Sequence, residues 1–168
     1  MTREAPADGH LLNETEWHTL RALADVIVPP SETYGVPGAG DEAIAKTIVK
    51  DANYGDKLTR LIAALDTLNA MAEGVYGTEF AMLREDQREA VALTFREEQP
   101  AAATLAEQLV TQCYYRDDRV VSSLGMELRP PMPEGYTVEQ GDWSLLEPVR
   151  RRQPFHRPAD QAGGPIQR

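Results

Sequence analysis

Apolar residues in the first two-thirds of the chain recur at helical spacing, and most runs are bracketed by residues that start or stop helices. In "LLNETEWHTLRALADVIVPP" (11–30), Trp17, Leu20, Leu23, Ala24 and Ile27 share one face. Asn13 and Glu16 have the spacing of a capping box, and Leu12 and Trp17 that of a hydrophobic staple. Pro29 and Pro30 stop the helix because neither has a backbone N–H to donate. "DEAIAKTIVKDA" (41–52) places Ile44 and Ile48, with Val49 beside them, on a second amphipathic helix capped by Asp41. The strongest signal is "GDKLTRLIAALDTLNAMA" (55–72), where Leu58, Leu61, Ile62, Leu65 and Leu68 form a long apolar stripe behind Asp56 as the expected cap. Gly74 and Gly77 are expected to break that helix. A fourth helix is predicted from about Arg84 to Glu98, ended by Pro100, and a fifth to about Tyr115. A short helical turn over "DDRVVSSL" then stops at Gly125. No segment alternates with a period of two. The pattern predicts an all-α class: a single helical domain of about five helices over residues 12–125, with an N-terminal extension over 1–11.

One stretch invites a different reading. "DVIVPPSETYGVPGAG" (25–40) sets three β-branched residues before Gly38-Ala39-Gly40-Asp41-Glu42-Ala43, which fits G-x-G-x-x-A. A dinucleotide turn must follow a strand directly and open a helix. Here a proline pair and "SETYGVP" intervene, and no second strand follows. The expectation is a surface loop whose Asp41 caps the next helix.

Beyond residue 125 the pattern changes. Residues 126–168 hold seven of the twelve prolines, too many for a helical layer, yet also Tyr136, Val138, Trp143, Leu145, Leu146, Val149 and Phe155. A purely flexible tail seldom carries so many large apolar groups. They must be buried on this domain or on another chain, and an extended proline-rich arm with spaced aromatic anchors suits wrapping around a partner.

Charge narrows the partner class. The formal net charge is −10, and all of it lies in residues 1–125; the tail carries six acids and six bases. That balance argues against nucleic acid and against anionic membrane surfaces, and no run approaches a membrane span, so no direct membrane insertion is expected. One cysteine, Cys113, precludes an internal disulfide and a multi-thiolate zinc cluster. A buried, inert thiol is the favoured reading, with a covalent link to a partner left open. No Glu-x-x-His pair, H-E-x-x-H, G-x-S-x-G or Walker loop is present, nor a C-x-x-C-H for haem. Carboxylate pairs such as Glu85-Asp86 and Glu97-Glu98 read as solvated surface. No catalytic, cofactor-binding or metal-binding residue is expected in this chain. The residues chosen instead as a partner interface are Trp17, Tyr114, Tyr115, Arg119, Tyr136, Trp143 and Phe155, since aromatics and arginine concentrate at interface centres. For "CYYRDDRVVSSLG" the alternative is a helix end that packs Tyr114 or Tyr115 into the core, with Arg116 and Arg119 paired to acids.

Several stretches together resemble the gluconate 2-dehydrogenase subunit 3 family. They are "ETEWHTLRALADVIVPPSE", "EFAMLREDQREAVAL", and "YYRDDRVVSSLG" followed by "RPPMPEGY", in the family's order over about residues 12–137. The resemblance implies a small non-catalytic subunit that folds and stabilises a large FAD-dependent catalytic chain of the glucose–methanol–choline group. FAD is expected in that partner, which oxidises an alcohol carbon of a sugar or sugar acid. A cytochrome in the wider complex is left open by the same analogy. Many members carry a twin-arginine export signal, and this sequence has neither that nor a signal peptide. A cytoplasmic complex is therefore expected, periplasmic only if the partner carries the export signal. The competing readings are a stand-alone helical adaptor that holds an unrelated partner through the arm and, more remotely, an independent helical enzyme.

Overall fold

The computed structural model describes residues 11–128, 135 and 140–153. They fall into two units divided between Arg129 and Pro130. The first is a helical body of α1 (Glu14–Ile27), α2 (Glu42–Ala52), α3 (Lys57–Tyr76), α4 (Glu85–Glu98), α5 (Pro100–Tyr114) and α6 (Asp118–Ser123), with a 3-10 turn at Phe80–Met82. The second holds a 3-10 turn at Trp143–Leu146 that runs into α7 (Glu147–Arg150). Every regular element among the described residues is helical, apart from an isolated antiparallel bridge between Ser31 and Val36. The all-α expectation is met.

In the body, α1 and α5 each pack against α2, α3 and α4, and against each other. The predicted stripes close on one core: Leu20, Ile44, Ile48, Leu61, Leu65 and Leu68 are fully or almost fully buried. The capping box of α1 is present, with the Glu16 N–H donating to Asn13 Oδ1 (2.7 Å) and the Asn13 N–H to Glu16 Oε2 (2.9 Å). Leu12 is buried and Trp17 is half-buried against the core. Asp41 caps α2 by accepting the Ala43 N–H. At the end of α6, Gly125 takes a left-handed φ of 70°, and the N–H groups of Gly125 and Met126 return to the Ser122 and Val121 carbonyls. That is the Schellman pattern its glycine foretells.

Four details differ from expectation. Asp56 occupies the cap position of α3 but its side chain accepts no cap hydrogen bond; it lies 3.8 Å from Arg60 instead. Gly74 does not break α3, which continues to Tyr76 and ends at Gly77 with φ 70°. A helical glycine costs only about 1 kcal/mol, so it weakens the helix without ending it, and the stop falls at Gly77, whose left-handed φ the helix cannot continue. Pro100 does more than end α4, for it is the first residue of α5, where a missing N–H is harmless. The proline-rich tail was expected to lack helix, yet Trp143–Arg150 turns helically, with Pro148 in the first turn of α7 where proline is tolerated.

Candidate partner interface

Thr19 on α1, Asn69 on α3 and the Phe80 amide of the 3-10 turn meet in the core. Asn69 Oδ1 accepts from the Phe80 N–H (3.0 Å) and the Thr19 hydroxyl (3.1 Å), and Asn69 Nδ2 lies 2.9 Å from Thr19 Oγ1. All three residues are buried, so this polar knot fixes where α3 hands over to the Phe80 turn. Asn69 follows Leu65 by four along the α3 stripe; a lone polar residue on an apolar stripe was the available signal for it.

The glycine-rich stretch before α2 folds back onto α1. The Gly40 N–H donates to Asp25 Oδ1 (2.8 Å), Arg21 Nε donates to the Gly40 carbonyl (2.7 Å), and the Ala39 N–H reaches the Val28 carbonyl (2.9 Å). A side chain at Gly38 would collide with Asp25 and come within 2.9 Å of the Pro30 ring; one at Gly40 would strike the Arg21 carbonyl. The two glycines therefore serve backbone contact with α1. This accounts for G-x-G-x-x-A without a phosphate. The segment Ser31–Val36 projects as a tight turn with Tyr34 exposed at its tip.

Arg119 on α6 joins that loop to the end of the body. Its Nη2 donates to Asp41 Oδ1 (2.8 Å) and to Asp117 Oδ2 (2.9 Å), and its Nε to Asp117 Oδ1 (2.9 Å). Asp41 and Asp117 each cap a helix, α2 and α6, and Arg119 holds the two caps together. The guanidinium beside them lowers both carboxyl pKa values, and the two carboxylates raise that of Arg119. Both aspartates are held below their unfolded value, so the clasp's contribution is complete above about pH 5 and fades as pH falls through the folded values. Arg119→Ala is expected to cost about 1 kcal/mol at pH 7, a discounted figure because Arg119 is partly exposed. In a pH series of denaturant titrations, the gap between wild type and this variant narrows below about pH 4. A gap of constant size would show that the clasp carries no charge-dependent stability.

The chosen residues separate by exposure. Trp17 is half-buried, and Tyr114 lies in the core at 4% exposure. Tyr115, edge-on to Tyr114 with ring centroids 5.2 Å apart, is 57% exposed. Tyr114 is thus largely occupied by the core and Arg119 by its two aspartates, whereas Tyr115 keeps a free surface. Trp143, in the second unit, is 60% exposed. Tyr136 and Phe155 lie outside the described residues. Sequence reasoning passed over Leu124, Met126 and Leu128, all more than half exposed around and beyond the Gly125 stop. Their signal was three large apolar residues left over after the last helix of the body, outside any helical stripe. A shallow apolar groove of about 380 Å³ also opens between α1, α4 and α5, walled by Val26, Ile27, Ala92 and Ala106 and rimmed by Glu89 and Glu107.

Cys113 is buried beside Asp51, which also pairs with Arg116. Burial first, and Asp51 second, push its thiol pKa up to about 11. At pH 8 the thiolate fraction is negligible. Cys113 is expected to resist a thiol reagent in the native protein and to react fully on denaturation; rapid native labelling would contradict this placement. Among the described residues no group of three His, Cys, Asp or Glu side chains is placed to hold a metal ion, and no helix is long and apolar enough to cross a membrane.

Fold and surface define an all-helical body with exposed apolar groups at its C-terminal end. The model of the family described as gluconate 2-dehydrogenase subunit 3 matches residues 14–125. The chain belongs to that family, whose name is that of a subunit of a dehydrogenase. The match runs from the start of α1 to the Gly125 stop. Neither the curated proteins nor the solved structures gave a match.

Proposed function

We propose that this chain is the non-catalytic small subunit of an FAD-dependent dehydrogenase of the glucose–methanol–choline type. It binds, folds and stabilises the large catalytic chain, which holds the FAD and oxidises a CH–OH group of a sugar, glycoside or sugar acid. The observation that carries the proposal is family membership across the whole body, from α1 to Gly125. The exposed Tyr115, Leu124, Met126 and Leu128, which follow one another in the chain after α5, support it, because exposed large apolar side chains suit coverage by another chain. The small subunit contributes by mass action: binding the native catalytic chain alone stabilises it by about 3 kcal/mol at roughly a hundred times Kd.

Affinity purification of the tagged full chain tests the assignment. The expected result is a coloured complex with a much larger flavin-containing chain, active on a sugar or sugar acid. Elution as a stable monomer, from cells that also hold an active and soluble flavin dehydrogenase, would overturn it. Retention of a partner without flavin would favour the adaptor reading.

A further inference from the structure

Independently of the subunit reading, we infer that α6 is a latch: it opens on its own while α1–α5 stay folded, and Arg119 is the clip that holds it shut. A helix of six residues is marginal by itself, so tertiary contacts must keep it in place. Few are present. Val120 is its one buried residue, at 2% exposure within the core, Val121 is half-buried, and Asp118, Arg119, Ser122 and Ser123 are exposed.

The hydrogen bonds of α6 are almost all local. The Val121 N–H returns to the Asp117 carbonyl, that of Leu124 to Val120 and that of Gly125 to Ser122. The Asp117 cap accepts the Arg119 N–H (3.0 Å), and the Ser123 hydroxyl donates to the Val120 carbonyl (2.7 Å). Among the described residues, the hydrogen bonds that tie α6 to the far side of the body run from Arg119 to Asp41, the cap of α2. Opening α6 therefore exposes one buried side chain and breaks one partly exposed ion pair. Opening α3 or α5 would expose seven buried residues each. Elements with few buried apolar contacts open at free energies well below that of global unfolding.

The segment also has hinges at both ends. Before it, Arg116 pairs with Asp51 on α2, which keeps the end of α5 in place when α6 leaves. After it, Gly125 holds a left-handed φ of 70°. Leu124, Met126 and Leu128 follow α6 directly, so the latch sets how this exposed apolar strip is presented.

Native-state hydrogen exchange of the full chain tests the latch, on wild type, Arg119→Ala and Asn69→Ala. The Val121, Leu124 and Gly125 amides are expected to be at least about a hundredfold less protected than the slowest amides of α3 and α5. Arg119→Ala is expected to lower the protection of the α6 amides about fivefold. Asn69→Ala breaks the core knot equally in the latched and unlatched forms. It is expected to lower the protection of the slowest core amides at least about tenfold and to leave that of the α6 amides unchanged. Should Asn69→Ala fail to fold, Thr19→Val weakens the same knot more gently and is read in the same way. If the core variant lowers α6 protection by the same factor as core protection, α6 opens only with the whole body and the latch is refuted. If Arg119→Ala leaves α6 protection at the wild-type level, Arg119 is not the clip and the inference fails.

Discussion

Gly40→Ala is expected to lower the melting temperature of the helical body by about 10 °C, corresponding to a loss of roughly 2–3 kcal/mol. The added methyl group would strike the Arg21 carbonyl, which is helix backbone in α1, and would come within 2.6 Å of the Asp25 carboxyl carbon. A flexible side chain can swing aside; a main-chain carbonyl inside a helix cannot. The loop must lift, and in lifting it strains the Gly40 hydrogen bonds to Asp25 and Arg21 and pulls Asp41 away from Arg119. Gly35→Ala, at a glycine with φ 62° but open space around it, reports the backbone cost alone and is expected to lose only about 1 kcal/mol. Thermal unfolding of the two variants checks the order. Equal losses would show that close approach to α1 is not what requires Gly40.

Asn69→Ala is the second large effect expected, about 2–3 kcal/mol in a denaturant titration. Removing the side chain leaves the Phe80 N–H without its acceptor and the Thr19 hydroxyl without its partner, all in a site closed to water. Thr19→Val removes only one member and leaves the Asn69–Phe80 bond intact, so about 1 kcal/mol is expected from it. If Asn69→Ala also shifts Phe80, the loss grows, because Phe80 is fully buried. A variant as stable as wild type would mean that water or another group satisfies the Phe80 amide, and the polar knot would lose its structural role.

Much of the body was legible in the sequence because local signals agreed with the packing. The Asn13–Glu16 box, the Asp41 cap and the Gly125 stop are each written in residues adjacent to the feature they create. The features that were not legible depend on partners distant in the chain. Asp56 resembles a cap by type, but it precedes α3 with helical backbone angles and its carboxylate turns toward Arg60. The purpose of Gly38 and Gly40 lies thirteen or more positions away on α1, which the motif alone does not reveal. Of the two tyrosines at the end of α5, sequence order could not say which enters the core; the helix phase sends Tyr114 inward and leaves Tyr115 outside. The helical turn at Trp143 was hidden by the proline content of the tail, although Pro148 sits where a helix accepts it.

For the candidate interface, residue type alone could not say which of the named side chains keep a free surface. Tyr115 and Trp143 present exposed rings, while Tyr114 and Arg119 are taken up by the body's own contacts. Leu124, Met126 and Leu128 extend the exposed apolar set past the last helix of the body.

The most direct measurement compares the catalytic flavin dehydrogenase produced with and without this chain, recording soluble yield, bound FAD per catalytic chain and turnover. The account predicts that without its small subunit the catalytic chain is largely insoluble or flavin-poor, and that supplying the full chain in the same cells restores both flavin and activity. A catalytic chain that is equally soluble, flavin-loaded and active when produced alone would contradict it.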